Sequence, residues 1–229
     1  MVDVHSHILP FVDDGSDSVE KSLQLVKKLT EQGATKIFLT PHFKTGRYEK
    51  SVEEIKERFN EFNKIVKENN YGVELLLGQE IYCNKEIFEL LKEGKVLTLN
   101  NTKYILIEFD YFNYTDISDY VYNLMAFGYT PIIAHVERYT YLEADTLIDL
   151  KNQGALIQVN ASSIASKKHK VLQKKVFAAM NLNLVDFVAT DIHAERECYF
   201  EKAYQVVKRK YGLKTANRLF IENANLLNN

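Results

Sequence analysis

The chain has 229 residues, of which 46% are hydrophobic and 26% charged, the balance of a soluble globular protein able to bury one large core. Its net charge of −2 argues against nucleic-acid backbone binding as the main task, which usually needs a basic face, and no apolar run approaches membrane-spanning length. The opening Met-Val-Asp-Val-His lacks the basic and apolar regions of a signal peptide, and Cys83 and Cys198 form no CxxC; a reduced, cytoplasmic setting is the expectation.

In chain order, the first strand is predicted over Val2–His5 and runs into His5-Ser6-His7. Residues two apart on an extended chain point the same way, so both imidazoles can reach one ion. Asp13-Asp14-Gly15 follows in the first loop. Asp17 or Ser18 then caps a helix whose Leu23, Val26 and Leu29 share a face and which Gly33 closes. A second strand, Lys36–Thr40, ends in Pro41-His42 and precedes a helical pattern at Ile55, Phe59, Phe62 and Ile65. Val73–Gly78 leads into Gln79-Glu80, and Tyr104–Phe109 carries Glu108. Pro131–Ala134 leads into His135-Val136-Glu137-Arg138, and Ala155–Val159 ends at Asn160. Phe187–Thr190 leads into Asp191-Ile192-His193, and a last helix carries Ala203, Val206 and Val207.

Strands separated by helices imply parallel pairing, since a parallel connection needs a crossover. Seven such units suggest a barrel, with a doubly wound open sheet as the competitor. The barrel is favoured because it presents the C-terminal ends of all its strands on one face, where active sites are assembled. Six of the seven strands end in His, Asp or Glu; the sixth, ending in Asn160, offers no strong ligand. Five of the six histidines fall at such ends, and only His169, in a lysine-rich helical stretch, does not. Taken singly, His42 reads as a loop histidine, Glu80 and Glu108 as solvated strand ends, and Asp191 as a helix cap. Their co-occurrence favours a shared metal site, because buried carboxylates need partners. Imidazole with carboxylate suits zinc, manganese and iron.

Other hydrolytic machineries are excluded by their motifs. A thiol phosphatase needs arginine six positions after its cysteine, where Glu89 follows Cys83 and Tyr204 follows Cys198. No GxSxG, GxxxxGK[ST] or GxGxxG occurs.

The opening Asp3-Val4-His5-Ser6-His7-Ile8-Leu9-Pro10 and Asp13-Asp14-Gly15 resemble the PHP (polymerase and histidinol phosphatase) superfamily. So do Thr40-Pro41-His42, Gly78-Gln79-Glu80-Ile81-Tyr82, Ile107-Glu108-Phe109, Ile133 to Tyr139, and Thr190-Asp191-Ile192-His193. More narrowly, the chain is similar to the manganese-dependent bacterial protein-tyrosine phosphatases of capsular and extracellular polysaccharide operons, from Met1 to the Phe220–Asn225 tail. The resemblance implies an α/β fold, a distorted (β/α)7 TIM-like barrel, with residues 1–229 as a single PHP-type catalytic domain. It implies three divalent metal ions, Mn²⁺ first, with Fe, Co or Zn as alternatives. His5, His7, Glu80 and Asp191 would hold the first ion; Glu80 would bridge to a second, completed by Glu108 and His135; Asp14, His42 and His193 would hold the third. Asp14 and Glu108 stand where other branches tend to carry histidine. Arg138 matches a phosphate-binding arginine, and Arg196 lies in the loop of its partner at a shorter spacing from His193. His42 and His193 are the candidates if a general acid is needed. Aromatic walls from Phe109 to Tyr114, with Phe43, Tyr48 and Tyr139, could receive a phosphotyrosine ring.

The leading reading is thus hydrolysis of phosphotyrosine by metal-activated hydroxide. Its implied partner is an autophosphorylated bacterial tyrosine kinase of polysaccharide export, with no nucleic acid and no membrane insertion. The alternatives are a small-molecule phosphomonoesterase of the histidinol-phosphatase type and, from a different class, a catalytically silent metal-stabilised binding module.

Overall fold

The computed structural model describes residues 1–228. Nine strand segments are present: β1 Val2–Asp3, β2 Lys36–Leu39, β3 His42–Phe43, β4 Glu74–Leu77, β5 Glu80–Tyr82, β6 Tyr104–Glu108, β7 Thr130–Ile133, β8 Leu156–Asn160 and β9 Phe187–Ala189. They pair in parallel throughout, as one ladder ordered β1-β2-β4 and another ordered β3-β5-β6-β7-β8-β9. Between them lie the helices α1 Val19–Glu31, α2 Val52–Glu68, α3 Ile87–Lys92, α4 Ile117–Ala126, α5 Ala144–Asn152, α6 Ala161–Ala165 and α7 Lys170–Asn181; α8 Phe200–Tyr211 and α9 Leu213–Asn217 follow β9. Of the two predicted caps for α1, Ser18 takes the role: its hydroxyl accepts from the Lys21 N–H at 3.2 Å.

The predicted second and third strands, Lys36–Thr40 and Val73–Gly78, appear as β2 and β4, and each is followed beyond a kink by a short further segment, β3 and β5, that the sequence did not indicate. Pro41 has no N–H to contribute to a ladder, and β2 stops before it. Gly78 passes so close to Leu99 that a Cβ there would stand 2.5 Å from the leucine Cδ2. Pairing resumes beyond both kinks, with the Gly78 N–H donating to the Leu39 carbonyl at 2.9 Å and the Glu80 N–H to the Pro41 carbonyl at 3.2 Å. The kinked segments β3 and β5 therefore begin with His42 and Glu80 themselves.

The sheet curls until its first and last strands meet. Asp191 N–H donates to the His5 carbonyl at 2.9 Å and His7 N–H to the Ile192 carbonyl at 3.0 Å, while Thr40 N–H donates to the Ser6 carbonyl at 2.9 Å. Strand alternation then sorts the core into two clusters. Phe38, Leu106, Ile132, Ala134, Phe187 and Ala189 pack with one another and with Ala224 and Leu227 on the concave side. Their neighbours Ile37, Leu39, Ile105, Ile107, Ile133 and Val188 pack under the helices. Residues two beyond a concave-side position, such as Glu108 after Leu106, therefore point inward at the C-terminal end of the sheet. Among the described residues, no helix is long and apolar enough to cross a membrane.

Candidate metal centre

His5 and His7 are fully buried beside Glu80 at the C-terminal end of the curled sheet. His5 Nε2 and His7 Nε2 lie 3.1 Å apart, and each is 3.2 Å from Glu80 Oε2. Asp191 Oδ1 lies 3.7 Å from His5 Nε2 and 3.5 Å from His7 Nε2. Ligand atoms about 2.1 Å from a shared ion stand roughly 3.0–3.4 Å apart around it, so this quartet has close to the spacing of a coordination shell.

The hydrogen bonds around these groups decide which atoms carry lone pairs. Gln158 Oε1 accepts from the His135 backbone N–H at 2.9 Å, which fixes the amide's orientation. His5 Nδ1, 3.1 Å from the same oxygen, must then donate, leaving Nε2 unprotonated in the neutral ring. Asp13 does the same for His7, whose Nδ1 donates to Oδ2 at 2.6 Å. Burial alone would raise the Asp13 carboxyl, but the His7 imidazole beside it outweighs this and holds it at about 2, so it is an acceptor. In their neutral forms the two imidazoles would turn lone pairs on the buried point that Glu80 Oε2 also faces; in the absence of a cation, burial is outweighed by the Glu80 and Asp13 carboxylates, which raise both rings and pair with them instead. A divalent cation satisfies all three at once. The donor set fits a metal.

The remaining predicted ligands surround this point. His135 Nε2 is 2.8 Å from Glu80 Oε1 and 3.7 Å from Glu108 Oε2. His42 Nδ1 is 3.0 Å from Glu80 Oε2 and 3.6 Å from Glu108 Oε1. Burial and the Glu80 carboxylate push the Glu108 carboxyl upward, the condition a cation would relieve. Asp14, more exposed than the rest, places Oδ1 3.7 Å from His42 Nε2 and 3.8 Å from His193 Nε2. His193 Nδ1 donates to the Asp191 carbonyl at 3.0 Å, and burial, with His7 alongside, pushes this imidazole down to about 3. Its free Nε2 faces Asp14 Oδ1. All the predicted ligand positions are brought into this one cluster.

Local backbone explains several placements. Ala134 faces the concave side, so by alternation His135 would face the helices; its φ of 34° breaks the alternation and keeps the ring in the cluster. Asp191 also has positive φ, 50°, a conformation that costs energy outside glycine and recurs at functional sites. In Asp13-Asp14-Gly15, a Cβ on Gly15 would stand 2.1 Å from the His7 carbonyl oxygen, so only glycine lets this loop close over His7.

Both predicted arginines converge on one predicted ligand, Asp191. Arg138 Nη1 and Arg196 Nη1 donate to Asp191 Oδ2 at 3.2 and 3.1 Å. Arg196, despite its shorter spacing, lies beside Arg138. The Arg138 guanidinium also lies 4.3 Å over the Tyr111 ring, and Tyr111 donates its hydroxyl to Glu108 Oε2 at 2.8 Å. A cleft of about 340 Å³ opens above the cluster, bordered by both arginines, Lys44, Tyr48 and Phe112. Of the predicted aromatic walls, Tyr48, Phe109, Tyr111 and Phe112 border this cleft, whereas Phe43 and Tyr139 do not and are buried.

Sequence reasoning missed the groups that aim the ligands. Besides Gln158 and Asp13, Asn160 donates from Nδ2 to Asp191 Oδ2 at 2.9 Å and accepts from Gln158 Nε2 at 2.8 Å. Buried Glu137 accepts from the Asn160 N–H at 2.9 Å rather than pairing with Arg138. The available signal was two amides at alternate positions of the apolar strand Leu156-Ile157-Gln158-Val159-Asn160.

A family model described as capsular polysaccharide synthesis, CpsB/CapC, matches residues 1–228. The tyrosine-protein phosphatase CpsB of Streptococcus agalactiae serotype V is 36% identical over 234 residues, covering 98% of this chain and 96% of the relative. The tyrosine-protein phosphatase YwqE of Bacillus subtilis is 33% identical, covering 99% and 91%. A crystal structure from work on Bacillus subtilis YwqE and Streptococcus pneumoniae CpsB, described as unique metal-dependent tyrosine phosphatases, superposes with a TM-score of 0.93 at 32% identity, over 99% of this chain and 94% of that one.

Proposed function

The chain belongs to the CpsB/CapC family of capsular polysaccharide synthesis proteins, and from that premise we propose that it is a metal-dependent protein-tyrosine phosphatase. The observation that carries this reading is the convergence of His5 Nε2, His7 Nε2 and Glu80 Oε2 on one buried point.

We assign three divalent ions, Mn²⁺ by preference. His5, His7, Glu80 and Asp191 would hold the first; Glu80, Glu108 and His135 would hold the second; Asp14, His42 and His193 would hold the third. When bound, such ions supply water of lowered pKa and positive charge for phosphoryl oxygens. The chain's own residues do the rest. Arg138 and Arg196, held at Asp191, present guanidinium N–H groups to the phosphoryl oxygens. Tyr111 supports Arg138 from below and fixes Glu108 through its hydroxyl. Tyr48 and Phe112 at the cleft receive the aromatic ring. A tyrosinate leaving group, with a pKa of about 10, needs little proton donation, consistent with a neutral His193.

In this reading the nine strand segments are seven staves of a distorted (β/α)7 barrel, β2 with β3 and β4 with β5 each forming one stave. Residues 1–229 act as a single catalytic domain in the cytoplasm. Its substrate is a phosphotyrosine protein, a tyrosine kinase of polysaccharide export.

The test is turnover by the Mn²⁺-loaded protein of phosphotyrosine, phosphoserine and histidinol phosphate side by side. Phosphotyrosine is expected to have the highest kcat/KM; preference for histidinol phosphate would overturn the assignment in favour of the small-molecule alternative. Metal binding without turnover of any ester would instead support the silent binding module.

The thiols have no part in this chemistry. Burial pushes the Cys83 thiol far up and the Cys198 thiol up to about 11, so neither is a nucleophilic thiolate near neutral pH. The double variant Cys83→Ser, Cys198→Ser is expected to retain kcat close to wild type. Loss of turnover with fold and metal content intact would restore a thiol mechanism.

A further inference from the structure

We propose that the chain docks peripherally on an anionic lipid surface, through a basic and aliphatic patch at the end of the molecule opposite the metal centre; the proposal stands apart from the phosphatase reading. The net charge of −2 hides a strong division along the chain. Residues 1–150 carry 16 Lys and Arg against 25 Asp and Glu, whereas residues 151–229 carry 13 against 6. In the second part most cations fall in two runs that contain no carboxylate, six between Lys151 and Val185 and six between Lys202 and Ile221.

The fold joins the ends of these two runs. At the end of α8 the Tyr211 hydroxyl donates to Asn181 Oδ1, at the end of α7, at 2.9 Å. Lys210 Nζ lies 3.6 Å over the Phe177 ring, and Arg218 Nη2 donates to Asn183 Oδ1 at 2.8 Å. The chain passes from α7 through Leu184–Asp186 directly into β9, so this junction lies at the N-terminal end of the sheet and the metal cluster at the other. Lys208, Arg209, Lys210 and Lys214 are exposed here. Beyond residue 150, the ion pairs made by Lys and Arg among the described residues are Lys151 with Asp186 and Arg196 with Asp191, which leaves these four uncommitted. The carboxylates nearest to them in the chain are Glu201, at the other end of α8, and Glu222, in the turn after α9.

Exposed apolar side chains decide between partners. Leu182 follows α7 and Leu213 opens α9, and they are 50% and 52% exposed within this junction. Val171, Ile221 and Leu226 are exposed in the same part of the chain, whereas the large exposed apolar side chains of residues 1–150 are aromatic or methionine. Cations in the last turn of α8 also complement its dipole, but that role asks for no leucine in water beside them. An acidic polypeptide would engage the cations and leave the leucines exposed. A lipid surface takes both, the cations at anionic head groups and the leucines at the acyl boundary.

The experiment is co-sedimentation of the full chain with vesicles of phosphatidylcholine alone or with about a third phosphatidylglycerol. Wild type is expected to bind the anionic vesicles about a hundredfold more tightly than the neutral ones, a preference that fades in about 0.5 M salt. The triple variant Lys208→Gln, Lys210→Gln, Lys214→Gln should lose most of it, about fivefold per cation removed. The double variant Leu182→Ser, Leu213→Ser keeps the charge and should bind about tenfold more weakly or worse. Both variants change exposed side chains far from the metal cluster, so their Tm and metal content should match wild type. Absence of binding to anionic vesicles at low salt would overturn the proposal. Undiminished binding by the leucine variant would overturn it too, in favour of a purely electrostatic site, and equal capture of polyglutamate by wild type and leucine variant would identify that site as one for acidic chains. Salt-sensitive self-association in sedimentation velocity, without vesicle binding, would assign the patch to a second copy instead.

Discussion

Removal of metal is expected to abolish phosphatase turnover and to lower thermal stability together. Any cation that binds between His5, His7 and Glu80 binds the folded cluster and not the unfolded chain, so it should support stability as well as chemistry. Adding Mn²⁺ at about a hundredfold over its Kd should stabilise the stripped protein by about 2.7 kcal/mol, a rise of roughly 5–10 °C in Tm for a chain of this size. Mg²⁺ should restore both less fully, because it accepts nitrogen ligands poorly. Glu80→Gln keeps the shape and removes the carboxylate charge at the centre of the cluster. It should lower kcat by about 10³-fold or more and abolish most of the Mn²⁺-dependent Tm shift. Full turnover in protein shown by elemental analysis to be metal-free would end the metal reading.

Arg138→Ala is expected to separate phosphate binding from metal binding. Its guanidinium cannot bind a cation, yet it touches Asp191 and lies over Tyr111 at the cleft. The alanine variant should lose about 10²-fold or more in kcat/KM if the arginine stabilises the transition state, while bound metal stays near wild type because Arg196 and Asn160 still hold Asp191. Arg138→Lys should recover only part of the loss, since an ammonium cannot reproduce the planar fork. His135→Ala, by contrast, should lower metal occupancy as well as rate. Near-normal kinetics in Arg138→Ala, measured beside metal content on the same preparations, would remove this arginine from the site.

The predicted strands were legible because each is an apolar run bounded by polar turns, and their C-terminal residues converge as expected. The interruptions at Pro41 and Gly78 were not foreseen. A ligand at the start of a short kinked segment, as His42 and Glu80 are, looks in sequence like the first residue of a loop. The motif residues of the candidate site were legible because imidazoles and carboxylates announce themselves at strand ends. Gln158, Asn160 and Asp13 did not, since a neutral amide or a loop aspartate has many ordinary uses and only its partners reveal this one. His169, read as part of a lysine-rich helical stretch, stands at the N-cap of α7, one residue before its first turn.

The pairing of the His5–His7 segment with the residues after β9 has a consequence for biosynthesis. His5 and His7 leave the ribosome well before Asp191 and His193. Until then His5 and His7 have no closing wall, and the nascent chain presents only scattered imidazoles and carboxylates that bind ions loosely. Loop closure over so many residues is entropically slow, so tight metallation must wait for the terminal strand to dock beside the first. Chains cut short before β9 would lack Asp191 and His193 and with them, on the proposed assignment, part of the metal centre.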